Sequence, residues 1–205
     1  MKQQRTYLTT ILIVLNVLVF GAWQGWYGPG LSFMSQNFLV SWNLLSEGRV
    51  WDLITSVFSH NWTLHLFLNM FVLNSFGRFL EQFLGWKFYL GFYLFAGVVS
   101  SLSHVLVSNF LMHSPELPAL GASGSLAGLI LLFALIFPKE KIVLFGLIPM
   151  PALVGALAFV GLDIWGLVSQ VEGGGLPIGH GAHLGGSLAG LLTYFLVVKR
   201  RLRRV

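Results

Sequence analysis

Six apolar stretches, each close to the length of a membrane crossing, constrain this chain more than any other feature. A hydrocarbon core of about 30 Å takes about 20 helical residues to span. The runs 7–26, 60–79, 88–110, 120–137, 142–168 and 179–198 come near that length. With 56% of the 205 residues hydrophobic and only 9% charged, an ordinary soluble domain is excluded. The expected fold is an all-α membrane protein of one domain over 1–205, a bundle of six transmembrane helices. Lys2 and Arg5 precede the first run in the manner of a secretory signal, but Trp23, Trp26 and Tyr27 stand where a small-residue cleavage site belongs, so the run is read as a spanning helix.

Basic residues collect on the inner side of a membrane. With six spans and the N-terminus inside, Lys2, Arg5, Arg78, Lys87, Lys139, Lys141, Lys199, Arg200, Arg201, Arg203 and Arg204 share that side, and Arg49 alone among Lys and Arg lies outside. The net charge of +5 is therefore topological, and nucleic acid is not a partner. The tail KRRLRR reads as an anchor that also meets lipid headgroups. The long loop 27–59, between helices 1 and 2, falls outside; it carries Phe33, Met34, Phe38, Trp42 and Trp51, and is expected to lie in the headgroup region or pack on the bundle. There is no cysteine, so thiolate chemistry is excluded.

Polar groups inside a membrane are costly and point to function. They are few here: His60, His65, Asn69, Asn74, His104, Ser123, Ser125, Asp163, His180, His183 and Ser187. Ser123 lies sixteen residues before Lys139, and His183 sixteen before Lys199. Each is then about 24 Å from its basic anchor, in the outer half of the membrane. His65, with Asn69 one turn below it, sits at a similar height. Small residues at four-residue spacing, Gly124 and Gly128 in one run and Ala182, Gly186 and Gly190 in another, allow close helix approach. That approach brings Ser123 towards His183, a base able to take its proton near neutral pH. His65, Asn69 and the N–H of Ser123 are available to hold an oxyanion.

At these residues the chain resembles the rhomboid family of intramembrane serine proteases. The resemblance runs through GRVWDLITSVFSHNWTLHLFLNM (48–70), GRFLEQFLG (77–85), GASG (121–124) and GAHLGGSLAG (181–190). It implies a rhomboid-like bundle in which Ser123 is the nucleophile and His183 its general base, a dyad without a carboxylate. It also implies that His65 and Asn69 line the oxyanion hole, that Gly121 lets the backbone bend around it, that Glu81 and Gly85 form a structural turn, and that His60 plays a supporting part. The substrates implied are transmembrane segments of other membrane proteins, cut near the external face with no cofactor and no metal. The family's usual Trp-Arg is Trp51-Asp52 here, which inverts a charge in the external loop.

Other readings are weighed beside this one. Ser125 faces away from Ser123 and has no catalytic part. His180 and His183, three residues apart, could bind a metal with His60, His65 or His104 completing the site, but no carboxylate accompanies them and the H-E-x-x-H signature is absent. Asp163, counted from residue 142, is expected near the outer surface, exposed or capping. His104 is expected to make a buried or interfacial hydrogen bond. A transporter is disfavoured by the lack of repeats, and the alternative within the family is a catalytically inactive module that binds membrane proteins. For a chain with no added soluble domain, the resemblance implies a plasma (inner) membrane of prokaryotic type, with both termini cytoplasmic.

Overall fold

The computed structural model describes residues 6–144 and 148–202. Lys2, Arg5, Arg203 and Arg204, four of the predicted inner basic residues, lie outside the described residues.

The architecture is helical. Helix α1 covers Tyr7–Trp23, and three short helices follow, α2 (Leu31–Asn37), α3 (Trp42–Ser46) and α4 (Asp52–Thr55), with a 3-10 turn at Ser56–Phe58. The second apolar run becomes α5 (Thr63–Val72), a π turn (Leu73–Gly77) and α6 (Arg78–Leu84). Helix α7 covers Trp86–Phe110, α8 Ser123–Ile136, α9 Ala152–Val171 and α10 His180–Thr193, the last continuing through a π turn into α11 (Lys199–Leu202). Among the described residues, three helical segments are long and apolar enough to cross a membrane: Trp86–Phe110, Ala152–Val171 and His180–Leu202. Tyr7–Trp23 and Ser123–Ile136 are shorter apolar helices.

The fifth run differs from its expected boundaries. Residues 142–144 and 148–151 do not open a helix; Lys141–Leu144 and Ile148–Pro151 pair as two antiparallel strands, β1 and β2, and α9 starts ten residues later than the apolar run. Proline is the cause. Pro149 and Pro151 lack an N–H and push their predecessors into extended backbone, while β-branched Ile142 and Val143 suit a strand.

Buried Glu81 joins the first two runs. Its carboxylate accepts hydrogen bonds from the backbone N–H of Leu8 (2.9 Å) and Thr9 (2.8 Å) and from the Thr9 hydroxyl (2.7 Å). An anion there satisfies orphan N–H groups at the start of α1 and meets the positive end of its dipole. Gly85, at φ 81°, then turns the chain into α7.

The segment between α1 and α5 is packed against the bundle through Met34, Val40, Ser56 and Val57, all buried, while Trp26, Tyr27, Leu31, Phe33 and Trp51 are exposed. Asp52 is fully buried, and the Arg49 guanidinium lies 3.4 Å from it. Burial pushes its carboxyl above the ordinary range, and Arg49 pulls it back. The inverted charge at position 52 is thus balanced by Arg49, three residues earlier in the same loop.

Helices α8 and α10 form the tightest contact. A Cβ placed on Gly186 would stand 1.8 Å from the carbonyl oxygen of Gly124, and one on Gly190 2.6 Å from that of Gly128. The predicted small-residue stripes therefore meet backbone to backbone. Gly186→Ala is expected to destabilise the bundle by about 3 kcal/mol, because overpacking against a rigid backbone outweighs the gain of about 1 kcal/mol in helix propensity. A fall in the detergent melting temperature checks this; an unchanged one would mean the helices are not in such contact.

Candidate active site

Ser123 is the first residue of α8, and His180 and His183 lie in the first turn of α10. The basic residues Lys139, Lys141, Lys199, Arg200 and Arg201 gather at the other ends of these helices, so the polar cluster occupies the end away from the basic face. With α8 and α10 in backbone contact, the Ser123 hydroxyl stands 2.9 Å from Nε2 of His183.

A third group enters from α9. Oδ1 of Asp163 lies 2.9 Å from Nδ1 of His183 and 2.7 Å from Nδ1 of His180. This corrects the expectation for Asp163 on two counts. It is buried rather than exposed or capping, and it stands eleven residues into α9, about 17 Å along the helix instead of 30 Å. The two strands took up residues that had been counted as the helix start. It also supplies a carboxylate that the resemblance does not imply. An ionised carboxylate can only accept, so it holds the proton of each ring on Nδ1 and leaves Nε2 of His183 as an acceptor facing Ser123. The ring of Phe159, also on α9, stacks on His183 at 5.5 Å and 29° and restricts its rotation.

The serine is presented by a braced loop. Ala119 and Val40 exchange backbone hydrogen bonds (2.8 and 3.0 Å), Asn43 N–H donates to the carbonyl of Pro115, and Gly121 N–H donates to that of Ser56 at 2.9 Å. His104, buried in α7, holds the same loop through Nε2 to the carbonyl of Leu117 at 3.1 Å. The segment between α1 and α5 is therefore the scaffold on which the GASG turn is set.

Gly121 has φ 120°, and a Cβ there would strike Cε1 of His65 at 2.6 Å. Only glycine permits both that backbone and that contact. Because its N–H is committed to Ser56, Gly121 shapes the turn and is not a donor to a ligand. His65 lies over the turn, and its ring is 4.9 Å from that of His60. His60 is fully buried, with Nε2 accepting from the N–H of Ala122 at 3.5 Å. Asn69 is buried one turn from His65 and gives one amide proton to the His65 carbonyl at 2.8 Å, which leaves its second proton for another acceptor. The first N–H groups of α8, that of Ser123 among them, have no acceptor within their own helix.

Ser125 donates to the carbonyl of Tyr93 at 3.0 Å, away from this cluster, as its position in the turn predicts. Asp163 is the residue that sequence reasoning missed as a member of the site. The available signal was a single acidic residue within an apolar run, which is costly unless it has partners.

A family model described as the Rhomboid domain matches residues 47–200. The chain is 30% identical to "RHOMBOID-like protein 12, mitochondrial" of Arabidopsis thaliana over 94% of its own length and 59% of that protein's. It is 34% identical to "Rhomboid protein 1, mitochondrial" of Saccharomyces cerevisiae (94% and 54%) and 35% to "Presenilin-associated rhomboid-like protein A, mitochondrial" of Danio rerio (89% and 45%). The chain thus spans about half the length of the curated relatives it matches. These relatives overturn the expected plasma-membrane location, since they are mitochondrial. That expectation rested on the minimal chain, and neither chain length nor hydropathy and the bias of basic residues, which report how a chain lies in a bilayer, tells which bilayer it is.

Proposed function

The chain belongs to the rhomboid family, and from that premise we propose that it is an intramembrane serine endopeptidase that cuts transmembrane segments of other membrane proteins. The observation that carries this reading is the line Ser123 Oγ, His183 Nε2, His183 Nδ1, Asp163 Oδ1, with 2.9 Å at each hydrogen bond. A serine hydroxyl becomes nucleophilic when a base in contact takes its proton, and the base is effective when a third group orients it.

In this mechanism Nε2 of His183 removes the Ser123 proton as Oγ attacks the peptide carbonyl. The oxyanion is held by the N–H of Ser123, the second amide proton of Asn69 and the ring of His65. His183 then gives its proton to the leaving amine, and a water activated by the same ring releases the acyl group. Water has to reach that intermediate, which suits a site at the end of the bundle and not its middle. Asp163 acts through His183 as an orienting group, while Gly121 and His60 shape the turn. The bundle crosses the membrane six times, with 27–59 and 173–179 on the catalytic side. The lipid around the helices is its other partner, and by the names of its relatives the membrane is a mitochondrial one.

Loss of one oxyanion donor costs about 10²-fold or more in turnover. Asn69→Ala is expected to lower the cleavage rate of a reconstituted substrate by about 10²-fold with little change in melting temperature; a rate within twofold of wild type would remove Asn69 from the hole. The primary test of the reading is labelling of the solubilised chain with a fluorophosphonate, read by mass spectrometry. An adduct on Ser123 that is lost in His183→Ala supports it. A folded chain that takes no adduct would be a non-cleaving binder of membrane proteins.

A further inference from the structure

His180 is a buried ionisable group that the proposed reaction does not use. One ring nitrogen of His180, one of His183 and an Asp163 oxygen all lie within 4.8 Å of one another. Oδ2 of Asp163 is buried and has no hydrogen-bond partner. A buried carboxylate oxygen left unpaired is costly and calls for a physical reason. The helix opposite is hollowed to admit the second imidazole: a Cβ on Gly166, one turn from Asp163, would stand 2.3 Å from the His180 ring. The sequence argument against a metal was that no carboxylate accompanies the two histidines, and the fold supplies one.

We propose that Asp163, His180 and His183 form a binding site for a divalent transition-metal ion, Zn²⁺ by ligand chemistry, whose occupancy switches the serine off. Two imidazoles and a carboxylate are a common zinc set that leaves one position open for water, and imidazole nitrogen disfavours Mg²⁺ and Ca²⁺. Bonds of about 2.0 Å in a tetrahedron put ligand atoms about 3.3 Å apart, so the present contacts of 2.7 and 2.9 Å need to open by only about half an ångström. The metal takes the place of the two Nδ1 protons, and each ring carries its proton on Nε2 instead. His183 then presents N–H to the Ser123 hydroxyl in place of a lone pair, and can accept nothing from it. On each ring the Nδ1–H bond is broken and an Nε2–H bond formed, so no proton leaves the site. Metal-ligating histidines are set by the atom that each ring nitrogen faces, and here one shift of tautomer converts a base into a donor.

Binding stands on the three ligands alone, while inhibition rests on the proposed base role of His183. The experiment separates them. Zn²⁺ is titrated calorimetrically into full-length Ser123→Ala, which needs no activity, and into the same chain carrying Asp163→Asn or His180→Ala. One Zn²⁺ per chain is expected, weakened at least about tenfold by either substitution. X-ray absorption at the zinc edge of Ser123→Ala is expected to count two imidazoles, and this holds whether or not the other variants fold. In wild type, Zn²⁺ is expected to slow fluorophosphonate labelling, and a chelator to restore it. No binding by Ser123→Ala, fewer than two imidazoles, or binding that leaves labelling unchanged would each overturn the proposal. Wild type that fails to label before zinc is added would instead defeat the protease reading and leave the binding result standing.

Discussion

Ser123→Ala and His183→Ala are each expected to abolish cleavage of a transmembrane substrate while leaving a folded bundle. The two side chains meet at 2.9 Å. The helix contact beneath them is made by Gly124, Gly128, Gly186 and Gly190, which both variants keep. Serine and histidine of such a pair act as a unit, so either loss removes nearly all of the covalent route, on the order of 10⁶-fold in soluble serine proteases. The measurement is the initial rate in proteoliposomes beside a melting curve in the same lipid. Retention of more than a few per cent of the rate by either variant would mean that another nucleophile or base does the work.

The second large effect belongs to Asp163. Its carboxylate fixes the Nδ1 proton of His183, and an asparagine of the same shape can present N–H there instead, which favours the wrong tautomer. The corresponding exchange in a soluble serine protease costs about 10⁴-fold in kcat. Here Phe159 also restrains the imidazole by stacking, so Asp163→Asn is expected to lower kcat by about 10² to 10⁴-fold with KM little changed. A purely structural aspartate would give a different pattern, a lowered melting temperature with a normal rate for the folded fraction. A kcat within threefold of wild type would place Asp163 outside the reaction.

These two predictions differ in how they could be reached. Ser123 and His183 were legible because depth along a spanning helix follows from counting residues to a basic anchor, and because four-residue spacing of small residues tells where helices touch. Asp163 was not, because its depth was counted from residue 142, and two prolines had turned that stretch into paired strands. Its partners are on another helix, and no local pattern in α9 names them. The same holds for Asp52: its sequence neighbour Trp51 suggested a lost arginine, while the compensating charge was Arg49, three residues earlier in the same loop.

By itself, then, the sequence determined that the chain lives in a membrane, which of its ends is basic, which helices approach closely and which serine and histidine face each other. Those properties follow from composition and from helical period, both of which are local. Tertiary structure alone decided that α9 brings a carboxylate to the histidine pair, that Gly121 gives its N–H to Ser56 and so only shapes the turn, and that the segment between α1 and α5 braces the loop before Ser123. Each of these is a contact between residues far apart in the chain. Its existence depends on the rotation and offset of whole helices, which packing sets.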